Sequence, residues 1–222
     1  SHPLVKGVGF TGSFTGGKFL FDLAQQREEP IPFFAEMGSI NPVFILENKV
    51  KKDTTLPAAL ASSITLGTGQ FCTNPGLIVI CDSDPETEFA IHLGEAMESL
   101  ELEPMVHSKI NKKYIQGLNR LKNLKGEIHT HLCSNSVAAL GLVSAKYFIE
   151  APNLSEEVFG PYSLIVHCQN IDEMLTVARG LSGQLTATLL STPEDEQALR
   201  VLKPIIQSKA GRILFDGVPT GV

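Results

Sequence analysis

Two short runs, GLIVIC (residues 76–81) and SLIVHC (163–168), limit the possible folds more than any other feature of the chain. Neither alternates apolar with polar residues, as a strand with one wet face would. A strand apolar on successive residues must be covered on both faces. In a water-soluble chain the usual covers are helices on either side of a parallel sheet. The sequence supplies those helices. Residues 86–100 place Phe89, Leu93, Ala96, Met97 and Leu100 on one stripe, and residues 109–124 do the same with Ile110, Tyr114, Leu118, Leu121 and Leu124. Ile171, Met174, Leu175 and Ala178 form a third set, and Leu56–Leu66, with Pro57 in its first turn, a fourth.

Strands are expected at Val5–Phe10, Ile31–Ala35, Val43–Leu46, Leu77–Cys81, Leu164–His167, Leu185–Leu190 and Arg212–Phe215. Ser83-Asp84-Pro85-Glu86 and Ser191-Thr192-Pro193-Glu194 each read as a helix start, with a capping hydroxyl, a proline and an acid in order. The alternation of strands and helices argues for an α/β fold with a largely parallel sheet. Residues 125–160 have weak periodicity and receive no firm assignment. The chain opens almost directly on a strand and stops at DGVPTGV just after one, so it reads as a fragment of a longer protein.

Composition removes several functions. With 222 residues, 43% of them apolar, the chain can bury a sizeable core. A net charge of −6 leaves no excess of Lys and Arg to neutralise phosphates, so nucleic acid is not an expected partner. No apolar stretch is long enough to span a bilayer, and SHPLVKGVGF has no signal-peptide pattern. Cys72, Cys81, Cys133 and Cys168 are widely spaced and form no CxxC pair, which favours a reducing cytoplasm over a disulfide framework or a zinc site. The pair His129-Thr130-His131 has no carboxylate or cysteine motif beside it, and no metal site is expected.

Four stretches carry possible chemistry. In VGFTGSFTGGKFL (residues 8–20) a strand runs through Gly12, Ser13, Gly16 and Gly17 into a helix starting near Lys18. Such a turn can hold phosphates at a helix N-terminus, or can be an ordinary strand–turn–helix connection, since it matches neither GxGxxG nor a P-loop. FAEMGSINP (34–42) delivers one carboxylate, Glu36, where an apolar run stops. That glutamate is either a partly desolvated base or a surface or ion-paired residue. GTGQFCTNPG (67–76) places Cys72 in a glycine-rich loop, where backbone N–H groups can activate a thiol and hold an oxyanion, or leave it inert. SEEVFGP (155–161) is either a capped, solvated turn or a second functional loop.

Taken together and in order, these stretches resemble the aldehyde dehydrogenase family. FTGS before a glycine-rich helix start looks like its coenzyme loop. AEMGSINP is similar to its general-base glutamate motif, usually E-L-G-G-K-x-P. GQFC looks like its catalytic cysteine motif, and EEVFGP closely matches E-E-x-F-G-P. The wording of residues 9–44, with FCTNPGL and GQLTATL, is most similar to the bacterial branch that includes 2,5-dioxovalerate (α-ketoglutarate semialdehyde) and NADP-dependent fatty-aldehyde dehydrogenases.

The resemblance implies a three-layer αβα catalytic domain at residues 37–222 and, at 1–36, a small remnant of a Rossmann-like coenzyme domain. It implies NAD- or NADP-dependent oxidation of an aldehyde to an acid. Cys72 would attack the aldehyde, pass through a thiohemiacetal and carry a thioester, and its backbone N–H would supply half of an oxyanion hole. Glu36 would activate the hydrolytic water. Glu157 would hold the nicotinamide ribose hydroxyls, Phe159 would pack beside the nicotinamide ring, and Gly12 and Ser13 would lie along the adenosine and pyrophosphate side. A family enzyme is much longer than this chain. The segments carrying its oxyanion-hole asparagine, its ribose-reading lysine and its subunit-joining hairpin have no counterpart here. The resemblance therefore implies a full-length homo-oligomer, and a fragment with weak coenzyme affinity and little activity of its own. Gly38-Ser39-Ile40 stands where the family has Gly-Gly-Lys, and Glu36 is retained. Two other classes stay open: a thiol-dependent acyl transferase or hydrolase using Cys72, for which no well-placed histidine is evident, and a catalytically silent domain.

Overall fold

The structure is a computed structural model that describes residues 2–83, 88–122, 129–132 and 137–219. The capping reading at Asp84-Pro85-Glu86, Cys133, and the side chains of His129 and His131 lie outside the described residues. The chain divides into two compact units, Ser1–Gly38 and Ser39–Val222, whereas the resemblance implies a seam after Glu36.

The smaller unit is one β-α-β turn. Strands β1 (Val8–Gly12) and β2 (Phe33–Met37) pair in parallel, joined by helix α1 (Phe14–Gln25). Both strands begin two or three residues later than the apolar pattern suggests. Pro30 and Pro32 donate no backbone hydrogen bond, so ladder pairing with β2 cannot extend upstream of Phe33. The Val8 N–H donates to the Pro32 carbonyl (3.0 Å) and starts the pairing there. Helix α1 begins four residues before Lys18. Ser13 is its N-cap, its Oγ accepting from the Gly16 N–H (3.3 Å), and this draws Gly16 and Gly17 into the first turn.

In the larger unit a seven-stranded sheet runs in the order β5-β6-β7-β4-β3-β8-β9. Its strands are β3 (Val43–Ile45), β4 (Leu77–Cys81), β5 (His129–Leu132), β6 (Ala139–Ser144), β7 (Tyr162–Cys168), β8 (Gln184–Leu190) and β9 (Ala210–Phe215). Every neighbouring pair is parallel except β5 with β6. The fold is thus α/β with a mostly parallel sheet. Residues 125–160, whose periodicity is weak, contain β5, β6 and helix α6 (Ala145–Glu150). Alanine, glycine and serine make up half of β6, which is why its apolar signal is faint.

The apolar runs behave as their composition demands. In β4, Leu77, Val79 and Cys81 face one core, and Ile78 and Ile80 the other. The second core lies under helices α3 (Leu56–Thr65) and α4 (Glu88–Glu98). The first lies under α5 (Ser108–Lys122), α6, α7 (Ile171–Gly180) and α8 (Glu196–Gln207). These are three layers, helices on both faces of the sheet. The short helix α2 (Glu47–Lys52) follows β3. Asp195 ties it down, accepting from the Asn48 N–H (3.1 Å) and Nδ2 (2.8 Å), while it also closes a capping box with Thr192 ahead of α8. No helix among the described residues is long and apolar enough to cross a membrane.

Candidate active site

The chemistry-bearing loops of the larger unit lie at the amino ends of its strands. Asn41 precedes β3, Cys72 precedes β4, and Gly160 and Pro161 precede β7. After α3 the chain makes a turn at residues 66–69 in which Gly67, Thr68 and Gly69 take φ of 54°, 57° and 65°. Three left-handed residues in a row reverse the chain sharply and send it out along Gln70-Phe71-Cys72. Thr68 is β-branched and costs about 1–3 kcal/mol in that conformation. It is held by burial and by its Oγ1, which donates to the Glu103 carbonyl (2.8 Å). Cys72 is exposed at the end of this turn, whereas Cys81 and Cys168 are buried in the sheet. Burial pushes the Cys81 thiol up to about 11 and raises Cys168 further still, so neither is a reactive thiolate near neutral pH.

The 155–161 loop is joined to the cysteine loop at Gly160. The Asn74 Nδ2 donates to the Gly160 carbonyl (3.1 Å). Gly69 packs so tightly on the Gly160–Pro161 peptide that a Cβ there would stand 2.2 Å from the Gly160 carbonyl carbon. Glu157 is exposed, yet the protein around it raises its pKa, an effect that a hydrogen bond from the Ser39 backbone partly reverses. Phe159 is half-buried. Glu156, the other acid, is taken by an ion pair with Arg120.

Glu36, Gly12 and Ser13 belong to the smaller unit and are brought together there. In the parallel ladder Thr11 faces Glu36 and Gly12 faces Met37. The expectation of a desolvated glutamate does not hold within this structure. Glu36 is exposed, as is Phe34, because helix α1 covers only the face of β2 that carries Phe33 and Met37. At Gly17 a Cβ would lie 2.3 Å from the Met37 Sδ, so glycine lets α1 sit directly on the sheet. Gly12, Gly16 and Gly17 put no side chain over this helix start; the Gly16 and Gly17 N–H groups are held by the Ser13 Oγ (3.3 Å) and carbonyl (2.9 Å), and the Ser13 hydroxyl can still donate.

The residues missed from sequence are those that hold the cysteine loop: Asn41, Thr68, Gly69 and Asn74. The signal for Asn41 was present in Asn-Pro after Gly-Ser, since asparagine tolerates the left-handed conformation it adopts (φ 43°).

The model of the "Aldehyde dehydrogenase family" matches residues 1–220. Alpha-ketoglutaric semialdehyde dehydrogenase 2 of Azospirillum brasilense is 41% identical over 229 residues, which cover all of this chain and 44% of the relative. Alpha-ketoglutaric semialdehyde dehydrogenase of Acinetobacter baylyi is 37% identical over 239 residues, again all of this chain and 44% of the relative. The chain thus spans less than half the length of these curated relatives. Among solved structures, an NAD-dependent benzaldehyde dehydrogenase from Corynebacterium glutamicum shares the fold with a TM-score of 0.75 at 18% identity, covering 97% of this chain and 48% of that one.

Proposed function

The chain belongs to the aldehyde dehydrogenase family, and on that premise we propose that the longer protein it represents oxidises an aldehyde to its carboxylic acid with NAD or NADP. The two relatives named above are α-ketoglutaric semialdehyde dehydrogenases, which makes that semialdehyde the substrate of choice. Residues 1–38 are the last β-α-β piece of a coenzyme domain, and residues 39–222 the thiol-bearing catalytic domain.

The observation that carries this reading is the contrast between thiols: Cys72 is exposed on a tightly braced loop, while Cys81 and Cys168 are inert in the core. Cys72 adds to the aldehyde carbon as a thiolate, and its backbone N–H donates to the developing oxyanion. Bound NAD or NADP supplies the acceptor for the hydride that leaves this carbon. The thioester left on Cys72 is then attacked by a water from which the Glu36 carboxylate takes a proton, releasing the acid and the free thiol. The residues present suit such a coenzyme. Glu157 offers carboxylate oxygens to ribose hydroxyls, and Phe159 an aromatic face. The start of α1, with Gly12 and Ser13, offers N–H and O–H donors to a pyrophosphate.

The test is reduced-coenzyme formation from α-ketoglutaric semialdehyde by the full-length protein. Cys72→Ala should abolish it. Glu36→Gln should give a single burst and then a steady rate lower by about 10²–10⁴-fold, because only thioester hydrolysis is blocked. Wild-type turnover by Cys72→Ala would refute the proposal. Turnover of thioesters without any reaction of aldehydes would put an acyl transferase in its place.

A further inference from the structure

Asn41 does more than fill a turn. Its side chain is buried, 1% exposed, at the amino end of β3. Both of its Nδ2 hydrogens are used, one on the Cys72 carbonyl (2.8 Å) and one on the Asn74 carbonyl (2.9 Å). Its Oδ1 lies within reach of three donors: the Ser39 hydroxyl (2.9 Å), the Thr186 hydroxyl (3.1 Å) and the Thr186 N–H (3.3 Å). One amide therefore spans from the start of β8 to the turn that presents Cys72. The Ile40 carbonyl beside it accepts from the N–H groups of Gly76 (2.9 Å) and Leu77 (3.1 Å), anchoring the far end of the same turn.

We propose that Asn41 is a positioning residue for the proposed Cys72 nucleophile: it fixes the two carbonyls on either side of Thr73 and so sets where the Cys72 side chain points. This rests on the reading of Cys72 as the nucleophile. The physical case is one of stiffness. A loop braced by its own backbone alone can shift as a unit, whereas this loop is tied at two carbonyls to an amide that is itself held by a central part of the sheet. Thr73 is buried between those two tied carbonyls, which leaves the turn no room to rotate. The amide is needed in its full form. A hydroxyl has one hydrogen and cannot donate to both carbonyls, and a carboxylate would repel them.

The test measures the burst of reduced coenzyme in the full-length Glu36→Gln protein, where thioester hydrolysis is blocked. Asn41→Gly is added to this parent, because glycine accepts a φ of 43° without strain and only the side chain is lost. A positioning role predicts a burst rate lower by about 10²-fold at unchanged amplitude, with the KM for coenzyme unchanged. A merely structural role lowers the amplitude, which counts folded sites, and leaves the rate alone; that result would overturn the proposal, as would no change at all. Alkylation of buried Cys81 and Cys168, followed by mass spectrometry, reports the fold directly. Should Asn41→Gly expose them, Thr186→Val replaces it. That variant keeps the shape, removes one donor to Asn41 and should slow the burst about fivefold, an unchanged rate again being fatal. A parent without a burst would overturn the reading of Cys72 and Glu36, and this inference with it.

Discussion

Substituting Gly69 by alanine tests the joint between the two loops of the larger unit. Gly69 has φ 65°, so a Cβ there costs about 1–2 kcal/mol before any contact is counted. The Cβ would also lie 2.2 Å from the Gly160 carbonyl carbon and 2.3 Å from the Gly160 oxygen and the Pro161 nitrogen. Carbon atoms rest about 3.5–4.0 Å apart, so the peptide would have to retreat by more than an ångström. It has nowhere to go. Against it stands Tyr114, 1% exposed, whose hydroxyl lies 2.7 Å from the Val137 carbonyl and 3.2 Å from the Pro161 carbonyl and can donate to one of them at a time. Overpacking of this kind costs about 1–3 kcal/mol, giving a total of about 3 kcal/mol with the backbone contribution. Urea unfolding followed by tyrosine fluorescence measures it. All three tyrosines, Tyr114, Tyr147 and Tyr162, lie in the larger unit, and there is no tryptophan. Gly180→Ala is the control, since a Cβ there meets nothing within 4 Å at the end of α7, and it should be neutral or stabilising by up to about 1 kcal/mol. A loss below about 1 kcal/mol for Gly69→Ala would refute the claim that the two loops are rigidly joined.

Asp195→Ala should destabilise the larger unit by about 3 kcal/mol in the same assay, because it strands the donors of Asn48 and Thr192 in a buried site. Burial alone would raise the Asp195 pKa, but those hydrogen bonds outweigh it and hold it below 3.8. The stabilisation that comes from ionisation is therefore present above the unfolded value and lost as pH falls through the lower folded one, so the gap between wild type and variant should persist at pH 7 and narrow below about pH 4. A gap that closes on raising the pH instead would contradict this sign. For Glu157, whose pKa is raised chiefly by the surrounding protein, the ionised form is the one the fold disfavours. Glu157→Gln should leave stability unchanged or slightly higher at neutral pH while raising the KM for coenzyme about tenfold, the loss of one charge-assisted hydrogen bond. In the wild type that KM should rise as pH falls toward a value above 4.5, and a KM independent of both the substitution and pH would remove Glu157 from coenzyme binding.

Much of the fold was legible in single residues. The unbroken apolar runs at 77–81 and 164–168 required cover on both faces, and β4 and β7 are buried throughout. The stripe containing Phe89, Leu93 and Met97 required a helix against a core, and those three residues are buried under α4. Where the reading stopped, the cause was local. Strand β6 is rich in small residues and carries little periodic signal, and Pro32 moved the start of β2 without altering its apolar pattern. Glycine marked the important turns, yet its meaning differed from place to place. Gly17 permits close packing against Met37, and Gly69 both a left-handed φ and close packing against Gly160.

The order of the motifs around Glu36, Cys72 and Glu157 is a property of the sequence, as are the parallel sheet and the family, because residue identity and period survive without coordinates. How Cys72 is held is not. Asn41 and Cys72 are separated by a strand and two helices, and Thr186 stands at the far end of the chain from both. Their shared amide exists only because β3 pairs with β4 on one side and β8 on the other. A hydrogen bond depends on position to within a fraction of an ångström, and between residues so far apart in sequence only the completed sheet supplies that position.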